Sequence, residues 1–166
     1  MKEQEDMDKP NSTLGNSGHK VVEANMSHIQ HLVDNLREAD LKEVKCFVND
    51  VKFVFRAALF NDDLTYTVLD KENIPYAMFG AGSNNKEHYI WMLGTYDVEK
   101  YKKVFTRHCK EWVNYFVKKY GRVYNYVHVE NKLSIKWLMW CGATFSEPLD
   151  FNGNKFKKFT IKRENI

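Results

Sequence analysis

The sequence predicts one α/β domain containing an antiparallel meander, and three observations carry that reading. Between residues 64 and 93, three runs rich in Thr, Tyr, Val and aromatic side chains are separated by short turn segments. A long amphipathic segment follows, from about Val98 to Tyr120, with Tyr101, Phe105, Trp112, Phe116 and Tyr120 on one stripe and His108 among them. Beyond it come a strand pattern, a short helix pattern and a last strand pattern.

Composition narrows the class. A chain of 166 residues and 19.7 kDa suits one domain with a real core. At 43% hydrophobic and 28% charged it is not disordered throughout. Mean hydropathy is −0.57, and no apolar run reaches membrane-spanning length. Met1 to Asp6 offers no apolar h-region, so no secretory signal is expected. Cys46, Cys109 and Cys141 are odd in number and lack C-x-x-C spacing, which fits reduced thiols and neither a disulfide framework nor a metal site. A net charge of +3 is too small to imply nucleic acid by itself.

Along the chain, residues 1–18 read as a flexible polar tail: Glu3, Glu5, Asp6 and Asp8 lie among small polar residues, with almost nothing to bury. The domain is expected over 19–166. Val21–Ala24 is a strand pattern. Ser27 stands three residues before Gln30 in capping-box spacing, and Ile29, Leu32, Val33 and Leu36 follow at helical intervals. Asp40 and Glu43 repeat the box and predict a second helical start. Residues 51–60 fit both periods, and Ala57-Ala58-Leu59 tips them to helix. Strands are predicted at 64–69, 74–81 and 88–93, with turns at 70–73 and 82–85. Asp97 is the expected N-cap of the long helix, and Gly121 its stop. A strand over 123–129, a helix over 133–141 ended by Gly142, and a strand over 156–161 complete the reading.

The chemistry-bearing residues have plain structural readings beside sharper ones. His128, within a strand pattern of aromatic residues, suits packing better than catalysis. Asn131 precedes a helix and is expected to cap it. Cys141 lies at a helix C-terminus, where the partial negative charge disfavours a thiolate. From Glu99 to Arg122 there are eight Lys or Arg and two acids, which reads first as a solvated face and second as a nucleic-acid surface.

The run Asn131-Lys132-Leu133-Ser134-Ile135-Lys136-Trp137-Leu138-Met139-Trp140-Cys141-Gly142 resembles the motif N-x-x-A-x-x-x-Y-x-x-x-G-F of GNAT acyltransferases. The predicted order of elements resembles theirs as well. That resemblance implies a mixed, mostly antiparallel central sheet flanked by helices. In that family the Asn and its helix line the coenzyme A arm, which marks Asn131 and Ser134 as cofactor-binding candidates. The junction Leu93-Gly94-Thr95 corresponds to the phosphate loop. A narrower likeness is to the small GNAT-like proteins of short-tailed, podovirus-like bacteriophages, of the internal virion protein type. It is carried by Tyr76–Gly80, Trp91–Thr95, Tyr124–Val127, Asn131–Gly142 and Phe156–Phe159.

Departures from the enzymes decide the functional expectation. Their R/Q-x-x-G-x-G/A loop is reduced to Gly94, and Asp97 and Glu99 bring negative charge to the helix start. Leu138 stands where the enzymes carry their Tyr acid. The 88–93 strand holds no carboxylate, leaving Glu87 and His128 as the candidate bases. The expectation is therefore a phage virion or morphogenesis protein with a degenerate acyl-CoA site, acting by binding or assembly, with no cofactor. Its expected partners are other virion or assembly proteins. It would reside in the host cytoplasm during assembly, and in the virion if retained there. The alternative is a CoA-dependent N-acyltransferase using acetyl-CoA; nucleic acid stays open as a partner without a specific motif. Sequence leaves the oligomeric state undetermined.

Overall fold

The computed structural model describes residues 8–166. Its centre is an eight-stranded sheet. The first half is an antiparallel run of β1 (Lys20–Glu23), β2 (Leu64–Leu69), β3 (Pro75–Asn84) and β4 (Glu87–Gly94). β4 then lies parallel to β5 (Arg122–His128), and β5 pairs antiparallel with β8 (Asn154–Lys162). Two short strands, β6 (Thr144–Phe145) and β7 (Leu149–Phe151), also pair with β8. The mixed, mostly antiparallel sheet flanked by helices is the fold the resemblance implied.

Helices cover the two faces. On one pack α1 (Ile29–Asp34), α2 (Glu38–Lys45) and α3 (Val51–Asn61), with Ile29, Leu32 and Phe55 buried against Met78 and Leu93. On the other lie α4 (Asp97–Lys100), α5 (Lys102–Tyr120) and α6 (Lys132–Trp140). Phe105, Trp112, Phe116 and Leu138 form the larger core there with Phe79, Val123 and Val127. The α5 stripe read from sequence is its buried face, and Gly121 ends it at φ 80, a conformation that costs glycine little.

Several local expectations are corrected. The long helix is broken at Tyr101 (φ −100, ψ 26) into α4 and α5. Asp97 is a first-turn residue rather than the cap, and its own N–H donates to Thr95 Oγ1 at 3.2 Å. Asn25, not Ser27, caps the entry to α1: it opens a 3₁₀ turn (Met26–His28) by accepting the Ser27 N–H at 2.9 Å. Residues 152–153 turn β7 into β8, a hairpin absent from the sequence reading.

Residues 12–14, within the segment read as a tail, contact the domain. Thr13 bridges Lys20, the Val21 N–H donates to the Ser12 carbonyl at 2.7 Å, and Leu14 is only 3% exposed within the larger core. The rest of the expected tail, residues 1–7, lies outside the described residues. Leu14→Ala should therefore cost about 2–5 kcal/mol in urea denaturation. A loss below about 0.5 kcal/mol, typical of surface changes, would show that the segment does not pin the core.

Candidate functional site

β4 and β5 share one bridging pair, Tyr89 with Tyr124. Asn125 spans the next step by donating from Nδ2 to the Ile90 carbonyl at 2.7 Å. Beyond that point the strands part, and a cavity of about 440 Å³ opens between their C-terminal ends. Its wall is mainly aromatic and aliphatic, with Phe79, Phe105, Trp112, Leu138 and Phe159 contributing. A volume of this size is that of a small-ligand site. Its polar wall includes Arg37, Asp40, Glu43, Asn125, Asn131 and Ser134, and the buried Nε1 groups of the lining Trp112 and Trp137 have no hydrogen-bond partner among the described residues.

Helix α2 ties the two diverging strands together. Asp40, 4% exposed, accepts from Arg37 Nη2 at 2.8 Å and Nε at 3.3 Å, and from the Gly94 N–H at 2.8 Å. The Gly94 carbonyl accepts the Arg37 N–H at 2.9 Å. Three residues on, Glu43 Oε1 accepts the His128 N–H at 3.1 Å and Asn131 Nδ2 at 2.8 Å. One helix thus engages the end of β4 through Asp40 and the end of β5 through Glu43. Burial pushes both carboxyls above their ordinary range. The Arg37 guanidinium and the Gly94 N–H offset this for Asp40, and the donors Asn131 and His128 offset it for Glu43.

The junction after β4 is equally committed. The Gly94 N–H goes to Asp40, and that of Thr95 to the Tyr76 carbonyl at 2.9 Å. Asp97 donates to Thr95 Oγ1, Val98 to the Thr95 carbonyl and Glu99 to the Tyr96 carbonyl. Gly94 itself is explained by packing: a Cβ there would lie 2.5 Å from Val98 Cγ2. A pyrophosphate needs free N–H donors, and this loop spends those of Gly94, Thr95, Asp97, Val98 and Glu99 internally beside two acids. The residues present do not fit that group.

The other predicted residues fall into separate places. Asn131 caps α6, its Oδ1 accepting the Ser134 N–H at 3.3 Å. Leu93, Asn131 and Ser134 line the cavity. His128 Nδ1 accepts the Glu130 N–H at 3.1 Å, and its ring packs edge-on to Phe156. Glu87 is not brought near it. It sits at the opposite end of β4, about 24 Å along the strand from Gly94, in ion pairs with Arg122 at 2.9 Å and Lys158 at 3.7 Å. Burial pushes the Cys141 thiol up to about 12 and the Cys109 thiol well above its usual range, which disfavours the thiolate at both. Among the described residues no cluster of metal-ligating side chains exists, and no helix is long and apolar enough to cross a membrane.

Sequence reasoning missed Arg37, Asp40 and Glu43 as cleft residues and read the last two as a capping pair. A signal was present: at helical spacing all three share one side with Val44 and Phe47, which also line the cavity. Charges interleaved with apolar residues on one helix side mark buried charge.

Solved structures place the fold. A GNAT-family acetyltransferase from Bacillus anthracis matches with a TM-score of 0.64 at 12% identity, covering 88% of this chain and 95% of that one. A GCN5-related N-acetyltransferase from Kribbella flavida matches with a TM-score of 0.66 at 9% identity, over 87% and 98%. Spermidine N-acetyltransferase from Vibrio cholerae, in complex with CoA and spermine, matches with a TM-score of 0.62 at 13% identity, over 90% and 98%. At these identities the likeness is one of fold. No curated protein matches the sequence. A family model does: residues 67–149, half of the chain, match the family described as bacteriophage T7, probable scaffold protein Gp13. They run from within β2, through the diverging strands and α6, to the start of β7, and the chain belongs to that phage scaffold-protein family.

Proposed function

We propose that this chain acts by binding in phage assembly, as a virion or morphogenesis protein of the internal virion protein type, with its acyl-CoA site degenerate. The observation that carries this reading is the internal use of the two α2 carboxylates and of the loop after β4. Asp40 and Glu43 occupy the donors on either side of the fork, and the loop after β4 commits the N–H groups of Gly94, Thr95, Asp97, Val98 and Glu99 to acceptors within the chain. Family membership supports the assembly role. Its partners would be other virion or assembly proteins, met in the host cytoplasm and kept in the particle if it is retained there.

The rival reading is a CoA-dependent N-acyltransferase transferring acetyl from acetyl-CoA to an amine. It draws on the cavity of about 440 Å³ and on the CoA-bound neighbour of the same fold. Against it stand the committed loop, the charges of Asp97 and Glu99, and Leu138 in place of a proton donor. Isothermal titration separates the two. Acetyl-CoA at micromolar concentration should give no saturable heat. A tight one-to-one isotherm weakened by Asn131→Ala would restore the enzyme.

The carboxylate fork makes a second prediction. Burial raises the folded-state pKa of Glu43 above its unfolded value. Its contribution to stability is therefore full below the unfolded pKa and is lost as pH rises through the folded one. Glu43→Gln keeps an Oε1 acceptor for both donors and never ionises. It should be more stable than the native chain at neutral pH, with the advantage fading toward pH ~4, near the unfolded carboxyl value. Glu43→Ala strands the His128 N–H and Asn131 Nδ2 and should cost about 1–3 kcal/mol. Thermal melts from pH ~4 to pH ~8 span the titration; a pH-independent difference between Gln and Glu would refute the assignment.

A further inference from the structure

We infer that the joint outer face of α5 and α6 docks an acidic, apolar-bearing segment of a partner protein. This rests on the assembly reading above and names the surface and the chemistry of what it meets.

Lys103, Arg107 and Lys110 recur at i, i+4 and i+7 along α5, with Lys118 farther down the same side. Helix α6 adds Lys132 and Lys136. The two helices together hold eight Lys or Arg and one acid, Glu111. Lys103, Arg107, Lys118, Lys132 and Lys136 are exposed, and among the described residues none of them pairs with a carboxylate.

A solvated basic face would end there, but this one also carries apolar side chains. Leu133 is 50% exposed, Met139 62% and Trp140 53%, all on α6. Lys110 Nζ lies 4.2 Å from the centroid of the Trp140 ring and joins the basic stripe of α5 to them. Leu138 and Cys141 are buried on the inner side of α6, so the exposed residues stand on an anchored helix. A rigidly presented Trp flanked by cations is the make-up of an interface anchor. The cations select carboxylates, and Leu133, Met139 and Trp140 select aliphatic or aromatic side chains. Nucleic acid would use the cations but leaves Leu133 and Met139 without a role.

The test is incorporation into assembling particles, with the variant chain as its only source and its amount read by quantitative mass spectrometry. Trp140→Ala and the triple change Lys103→Glu, Arg107→Glu, Lys136→Glu should each lower incorporation at least about tenfold. The control Lys45→Glu, Arg56→Glu, Lys71→Glu, at exposed cations elsewhere, should leave it unchanged, and thermal melts of the purified variants should match the native chain. A photoreactive side chain at position 139 should capture a peptide whose Asp or Glu flank apolar residues. Native incorporation of the surface variants, equal loss in the control, or capture of DNA or lipid alone would overturn the surface. If the native chain is itself absent from particles that assemble without it, the assembly reading fails first and takes this one with it.

Discussion

The fork between β4 and β5 is held by two carboxylates on one helix, and much of the molecule depends on them. A buried carboxylate is costly unless its lone pairs are satisfied. Asp40 therefore requires Arg37 and the Gly94 N–H, and Glu43 requires the His128 N–H and the Asn131 amide. These needs fix where α2 lies relative to both half-sheets. They also explain two residues that resemble enzyme motif positions. Val98 leaves no room for a side chain at Gly94, and one end of the Asn131 amide caps α6 while the other meets Glu43.

That arrangement separates fold from chemistry. A parallel pair with one bridge leaves a gap in the sheet, and something must satisfy the backbone groups along it. A ligand that pairs with those groups would bind for that reason. Here side chains from α2 do the same work at the Gly94 and His128 ends. The cleft is lined mainly by aromatic and aliphatic side chains, and its two carboxylates are turned to donors of the chain itself. Negative charge from Asp97 and Glu99 at the α4 start acts in the same direction, repelling anions where a helix N-terminus would otherwise attract them.

What the sequence revealed follows how local each cause is. The meander over 64–93 and the buried stripe of α5 were legible because period and turn chemistry are local signals. The break at Tyr101 was not, because it is imposed by packing: Tyr101 lies edge-on to His19 at 4.5 Å and packs on Tyr76 at 5.3 Å. Leu14 was invisible as a core residue because a single apolar side chain among polar ones carries no period. β6 and β7, two and three residues long, are set by pairing with β8 rather than by propensity. Of the site, the departures in the phosphate loop were readable. The cleft roles of Asp40 and Glu43 were not, since their partners stand 54 and 85 residues away.

The distribution of charge carries the same logic outward. A net +3 describes the chain poorly, because its acids and cations are placed differently. Asp40 and Glu43 are turned inward, and burial lowers their tendency to ionise. Helices α5 and α6 hold eight cations against one acid, most of them facing solvent. The field felt outside these helices is therefore more positive than the formal count suggests, and it falls off over about one Debye length, roughly 8 Å at physiological salt. The acids that close the fork and the cations left uncovered on the opposite face act in concert: the first removes a reason for small anionic ligands to enter the cleft, and the second supplies a reason for an acidic surface to meet the protein from outside.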